Sequence, residues 1–345
     1  MRLGIQLGYS GEGFADAVDE VAEFEQAGAE LVVVPEAYSF DAVSQLGYLA
    51  ARTRTMGLAS GVMQTYTRTP TLTAMTAAGL DYVSGGRFSL GLGTSGPQVI
   101  EGFHGVRYDA PVARTREIVE ICRTVWRRET LVHTGDHYRI PLPGEYGKPL
   151  KLINRPIRDR IPVWLAAMGP RNVALAAEVA DGWQALFLDP RAAGRVFGDA
   201  LADGRGRRDP SLGPLEVSVP VPFALAEPTT ALLSRHRAQL ALYLGGMGAR
   251  KRNFSNDLVR RYGYAREASV IQDLYLAGRR AQAAAAVPDD LVAATSLVGH
   301  PDDVRRKLTA LTEAGVTTLL VSPLAETRAE RVKHVADLRH LMDRE

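Results

Sequence analysis

Cysteine is almost absent from these 345 residues. The one that occurs, Cys122, has no partner for a disulfide within the chain, which fits a reducing compartment. Its spacing from Ile118, Ile121 and Val125 puts it in the core stripe of a helix rather than in a nucleophile's position. An imbalance of charge is missing too. Lys and Arg number 41 against 39 Asp and Glu, a formal +2 with the signs interspersed, so there is no electrostatic footprint for nucleic acid or a membrane surface. No uncharged apolar run approaches the roughly 18 residues of a spanning segment. The opening stretch MRLGIQLGYSG has neither a basic n-region nor a long apolar h-region. These absences predict a cytoplasmic protein whose partner is a small molecule, with no nucleic acid and no membrane. Metal ligands are sparse as well: His133 and His137 flank a predicted hairpin turn with no third ligand near, and no metal site is expected.

What the chain does have is apolar residues, 46% of the total, enough for one large core. Single α/β barrel domains of about 250 residues or more are common, so residues 1–345 are read as one domain. The segments EQAGAELVVV, YVSGGRFSLGLG, AEVADGWQALF and TEAGVTTLLVS repeat one punctuation: a helix end, a glycine-containing stop, then a short apolar run. Glycine supplies the left-handed C-cap, and an unbroken apolar run marks a strand buried on both faces of a parallel sheet. Strands are predicted near Leu3–Leu7, Leu31–Val34, Met56–Val62, Phe88–Leu92, Pro162–Ala166, Gly182–Phe187, Leu215–Val221 and Thr317–Val321. Eight such strands, mostly separated by helices, are what a closed (β/α)8 barrel needs. Two connections exceed the usual length. Residues of about 130–160 read as a hairpin followed by a strap, and residues of about 227–297 as helices inserted after the seventh strand. Loops that follow barrel strands lie on the face that carries active sites, so the second insertion is expected to cover the site or make a subunit contact.

GLGTSG, Gly91 to Gly96, has the form G-x-G-x-x-G after a strand. Pro97 follows at once, however, and the clear helix comes only near Arg114, so the dinucleotide fingerprint, with its third glycine inside an opening helix, is not met. The stretch reads instead as a glycine-walled shelf that lets a planar or phosphorylated ligand approach the backbone. LASGVMQTYTRTP ends the third strand at Ser60-Gly61-Val62, where a glycine marks a bulge or a close backbone approach, and sets Gln64, Thr65 and Tyr66 beyond it. VVVPEAYSFDA places Glu36, Tyr38 and Asp41 after the second strand; Tyr9 and Ser10 hold the equivalent place after the first. In WLAAMGPRNVALAAEVADGW a strand runs through Gly169-Pro170 straight into a helix. This is either an ordinary turn with Pro170 at the first helical position or an anion seat built from unpaired N–H groups.

Taken in order, RLGIQLGYSG, VVVPEAYSFDA, GRFSLGLGTSGPQVIEGFHG, LAAMGPRNVALAAEVADGW and VGHPDDVRRKL resemble the luciferase-like oxidoreductases, specifically the branch that uses the deazaflavin coenzyme F420. Within it, the general look is nearest to the methylene-tetrahydromethanopterin reductases. The likeness runs nearly the length of the chain and implies a (β/α)8 TIM barrel of the bacterial luciferase type, with the deazaflavin at the C-terminal face. Ser60, Gly61 and Val62 would back the ring, with a non-prolyl cis peptide between Gly61 and Val62, and Thr65 would join them. Gly93, Thr94, Ser95, Gly96 and Pro97 would line the ring. Ala167, Met168, Gly169 and Pro170 would hold the phosphate-bearing side chain, with charge added by Arg171.

Departures from related branches narrow the reading. The sugar-phosphate dehydrogenases have a catalytic His after strand two where this chain has Ala37, a Trp where it has Asp41, and an acidic residue that is replaced around Pro97, so glucose 6-phosphate oxidation is not expected. No residue fixes a pterin substrate. The function implied is hydride transfer between deazaflavin C5 and an unsaturated or carbonyl-type organic substrate, with Glu36, Tyr38 and His104 as candidate proton donors. Two other readings fit the same motifs: an FMN-dependent monooxygenase fed by a separate flavin reductase, and a cofactor-binding protein without turnover. A homodimer is the expected assembly.

Overall fold

Apolar runs such as LVVV at Leu31–Val34 are buried at every position, as a strand enclosed on both faces requires. In the computed structural model, which describes residues 1–9 and 13–343, these runs form parallel strands. They are β1 (Arg2–Gln6), β2 (Leu31–Val34), β3 (Gly57–Ser60), β4 (Phe88–Gly93), β5 (Val163–Ala166), β6 (Gly182–Gln184), β7 (Glu216–Leu225) and β8 (Thr318–Pro323). Each pairs with the next, and β1 also pairs with β8, so the sheet closes on itself. The fold is the TIM barrel of the luciferase type. Ser10 lies outside the described residues.

The barrel helices are α1 (Phe14–Gln26), α2 (Ala42–Arg52), α3 (Pro70–Val83), α4 (Pro111–Trp126), α5 (Pro170–Val179), α6 (Ala193–Gly206), α7 (Pro301–Glu313) and α8 (Arg328–Met342). Several start on side-chain caps. Asp41 accepts from the Ser44 N–H at 2.8 Å to open α2, so it belongs to that helix start rather than to the site face expected of it. Thr327 and Glu330 form a capping box on α8. Cys122 of α4 is wholly buried.

Some local features depart from the sequence pattern. Met63–Gln64 adds a short strand beside β4, and Leu297–Gly299 another beside the far half of β7. A one-turn helix, Pro97–Ile100, begins directly after Gly96, earlier than the helix expected near Arg114, because Pro97 suits a first helical position. The hairpin His133–Thr134 with Arg139–Ile140 is held by Glu117 of α4, which accepts from the Tyr138 N–H at 2.9 Å and pairs with His133 Nε2 at 3.1 Å. Between β7 and Leu297 the chain forms helices Thr230–Ala241, Phe254–Tyr262, Ala265–Leu276, Arg280–Ala285 and Asp289–Ala294, with a π-helical turn at Leu242–Gly246. No helix among the described residues is long and apolar enough to cross a membrane.

Inside the barrel, Leu31, Val33, Ala59, Trp164 and Leu320 form an apolar cluster separate from the main core between strands and helices. Trp164 fits because the backbone beside it carries no side chain: a Cβ on Gly182 would stand 2.5 Å from the indole Cδ1. Toward the strands' N-terminal ends Arg2 pairs with Glu216 at 3.0 Å. Gly182→Ala is therefore expected to lower the unfolding free energy by about 1–3 kcal/mol through overpacking. Combining it with Trp164→Leu should recover part of the loss, which urea denaturation of the single and double variants measures.

Candidate active site

Parallel closure brings every strand's C-terminal end to one rim, and there a cavity of about 700 Å³ opens, within the size range of cofactor and small-molecule sites. Three of its polar residues stand at or just beyond strand ends. Gln6 ends β1, Gln184 ends β6, and Gln64 follows β3. The Oε1 atom of each is buried without a hydrogen-bond partner among the described residues. Buried amides left unpaired are costly, so these three fit a ligand with a polar heterocyclic edge.

On the β3 side the peptide between Gly61 and Val62 is cis, as the resemblance implied. Val62 lies close over Gly93, where an added Cβ would stand 2.5 Å from Val62 Cγ2. Gly93, Thr94, Ser95 and Gly96 continue this shelf along the cavity wall, with Ser95 in the left-handed region at φ 56°. The Tyr108 hydroxyl donates to Thr94 Oγ1 at 3.2 Å.

On the β5 side Ala167, Met168, Gly169, Pro170 and Arg171 all line the cavity. Gly169 is the N-cap of α5, and no side chain caps that helix. The first intrahelical bond runs from the Val173 N–H to the Gly169 carbonyl at 3.0 Å. The N–H groups of Arg171 and Asn172 precede it and have no carbonyl within the helix to reach. A Cβ on Gly169 would meet nothing within 4 Å. Trp183 Nε1 fixes the turn by donating to the Ala167 carbonyl at 2.9 Å.

The insertion closes the remaining side. Gln98 Nε2 donates to the Met247 carbonyl, Arg261 donates to the Met168 carbonyl, and the Arg252 guanidinium lies 5.2 Å from the Tyr108 ring centre. His236, 2% exposed, bonds through Nε2 to Thr295 Oγ1 at 2.8 Å. Thr295 gives its own hydrogen to the Leu291 carbonyl at 2.7 Å, so the imidazole proton sits on Nε2. Burial pushes the His236 pKa down to about 4, which keeps the ring neutral near pH 7.

The other expected site residues fall elsewhere. Ser60 does not line the cavity; its hydroxyl donates to the Gly91 carbonyl at 2.8 Å and accepts the Gly91 N–H at 2.9 Å, tying β3 to β4. Thr65 and Pro97 also stand off the cavity wall. Tyr38 is 53% exposed and packs on Phe103 at 6.0 Å; His104 meets the same ring at 5.1 Å, and neither reaches the cavity. Glu36 does line it, but both its oxygens are engaged. Arg68 forks onto them at 2.6 and 2.9 Å, and the Ala42 N–H donates at 2.9 Å. That arrangement positions the β2 loop on the start of α2 and leaves neither oxygen free for a ligand; in turn the carboxylate's hydrogen bonds raise the Arg68 pKa. The sequence pattern does not single out Gln6, Gln184, His236, Tyr243 or Arg252. For the two glutamines a signal exists, a polar residue closing an otherwise apolar strand.

A closed parallel barrel with a glycine-backed shelf and an uncapped helix start on one rim defines a class of cofactor-using enzymes. Residues 1–318 match the family described as luciferase-like monooxygenase, and the chain belongs to that family. It is 42% identical over 351 residues to a Mycobacterium tuberculosis protein provisionally named a coenzyme F420-dependent oxidoreductase, across 98% of this chain and 99% of the relative. It is 26% identical over 294 residues to the 5,10-methylenetetrahydromethanopterin reductase of Archaeoglobus fulgidus, across 84% of each. The solved coenzyme F420 dependent tetrahydromethanopterin reductase of Methanopyrus kandleri matches with a TM-score of 0.82 over 99% of both chains at 20% identity, a likeness of fold. The chain is thus an enzyme of the luciferase-like family, related to coenzyme F420-dependent oxidoreductases.

The Glu36–Arg68 pair gives a test of the site's framework. Its side chains are only 7% and 14% exposed, so Arg68→Met strands a buried carboxylate and is expected to destabilise by about 3–5 kcal/mol. The double variant Glu36→Gln/Arg68→Met should be less affected, which thermal unfolding of the three proteins reads.

Proposed function

We propose that the chain uses coenzyme F420 to move a hydride to or from an unsaturated or carbonyl-type organic substrate. One observation carries this reading: a glycine-backed shelf and an uncapped helix start face the same cavity, one suited to a planar ring and the other to a phosphate. The 42% identity to a relative provisionally named for the same coenzyme supports it over the FMN alternative. When bound, the deazaflavin would supply hydride chemistry at its C5 atom.

The chain's own residues do the rest. Val62 and Gly93 would support the ring; the amides of Gln6, Gln64 and Gln184 would pair with its polar edge. The N–H groups of Arg171 and Asn172 would receive the phosphate, and Arg252 adds positive charge to the same cavity. For the proton, Tyr243 replaces Glu36, Tyr38 and His104. Its hydroxyl lies 3.3 Å from that of Tyr9, burial raises its pKa so that it stays protonated, and Tyr9 is half exposed to solvent.

The reading takes the chain as one barrel domain with two insertions, working as a homodimer. Support for the dimer is an exposed apolar stripe on α3, where Leu72, Met75 and Tyr82 are 47%, 53% and 69% exposed.

Anaerobic titration with F420 and with FMN tests the cofactor; saturable binding of FMN with none of F420 would overturn the reading. Gly169→Asp tests the phosphate seat. A carboxylate at this open N-cap would accept the free N–H groups itself, so helix stability should hold or rise while F420 affinity falls by at least about tenfold.

A further inference from the structure

We propose that Phe187 and Tyr243 form the wall on which the organic substrate packs, and that this wall selects flat unsaturated rings over puckered saturated rings of equal size. The inference rests on the reading of the cavity as an oxidoreductase site and names its substrate class. Both residues line the cavity, and their rings meet edge to face at 5.1 Å and 84°.

Each ring is held there by unfavourable local geometry. Phe187, 4% exposed, has φ 54°, a left-handed conformation that is strained for a bulky residue and persists only when neighbours impose it. The neighbour is Tyr262 of the insertion, whose hydroxyl donates to the Phe187 carbonyl at 3.0 Å. Tyr243 comes from the π-helical turn Leu242–Gly246, a geometry rare in helices and often found at functional sites. Buried amides hold that turn. Asn253 Nδ2 donates to the Tyr243 and Leu244 carbonyls at 2.9 and 3.0 Å, and Asn256 Nδ2 to the Leu244 carbonyl at 3.0 Å. Two segments distant in sequence therefore accept strained or rare backbone geometry to present one pair of rings. Both rings rest on the apolar core on one side and line the cavity on the other.

The position suits a substrate. Phe187 follows β6 and Val62 follows β3, three strands apart in a ring of eight, so the aromatic wall and the glycine-backed shelf stand on well separated arcs of the rim. Phe187 carries no hydrogen-bonding side chain, so recognition on its face comes from stacking and edge contacts. Aromatic pairs gain roughly 0.5–1.5 kcal/mol beyond area burial, which corresponds to a preference of about two- to tenfold for a flat π-system.

Calorimetric titration of the F420-loaded protein with coumarin and with 1-decalone, bicyclic carbonyl compounds of similar size, tests the wall. Wild type should bind coumarin more tightly by a factor in that range. Phe187→Leu should bring the ratio near one with F420 affinity unchanged, and Phe187→Tyr should keep it. An unchanged ratio in Phe187→Leu, or no preference in wild type, overturns the proposal. If Phe187→Leu loses its circular dichroism, Tyr243→Leu takes its place with the same two outcomes. Failure of F420 to bind would sink the cofactor reading alone, because the same titrations without cofactor still judge the wall.

Discussion

The ladder between β1 and β8, in which Leu3 faces Leu319 and Ile5 faces Val321, joins the first strand of the chain to the last. With it formed, no edge remains among the barrel strands, and parallel chain direction sends every C-terminal end to the same side. The interior then has a fixed depth. Trp164 and its apolar neighbours plug the middle, so a ligand can enter only as far as the layer of Gln6, Gln64 and Gln184. Gly182, which admits the indole, thus also sets where the floor of the cavity lies.

Around the rim, polar groups divide into those that hold protein to protein and those left over. Glu36 with Arg68, Ser60 with Gly91 and Asp41 with Ser44 are fully engaged with one another. At the cavity, what remains unsatisfied among the described residues includes several amides, the His236 Nδ1 atom and the open start of α5. A folded chain seldom leaves buried amides unpaired, and here those of Gln6, Gln64, Gln98 and Gln184 line one cavity.

The strands were legible because a parallel barrel writes each as a continuous apolar run after a glycine stop. The α5 turn and the shelf at Gly93 were legible for a related reason: a small residue at a strand's end adds nothing to the core, so its use there is to leave room. Side-chain partnerships were not legible. Nothing in VVVPEAYSFDA says that Arg68, 32 positions on, will take both oxygens of Glu36. Ser60 reads as a ring-backing residue until β4 is placed beside it, and Tyr38 and His104 read as site residues until Phe103 draws both away from the cavity. Helices on the active face could be expected of the insertion, but its π-turn and the ring it carries depend on Asn253 and Asn256 reaching back across several residues, a contact without sequence periodicity.

The two halves of the rim come from separate stretches of chain. The shelf and the open helix start are written between residues 61 and 172, whereas the aromatic wall is written at 187 and between 235 and 255. Side-chain contacts join them, among them Gln98 with Met247, Arg252 with Tyr108, Arg261 with Met168 and Phe254 with Tyr108. In evolutionary terms the arrangement is modular. Mutation, or exchange of the segment between β7 and β8, can reshape what the cavity admits while the glycine-backed shelf and the start of α5 stay as they are, so one inherited scaffold can vary one side of its cavity without first losing the other.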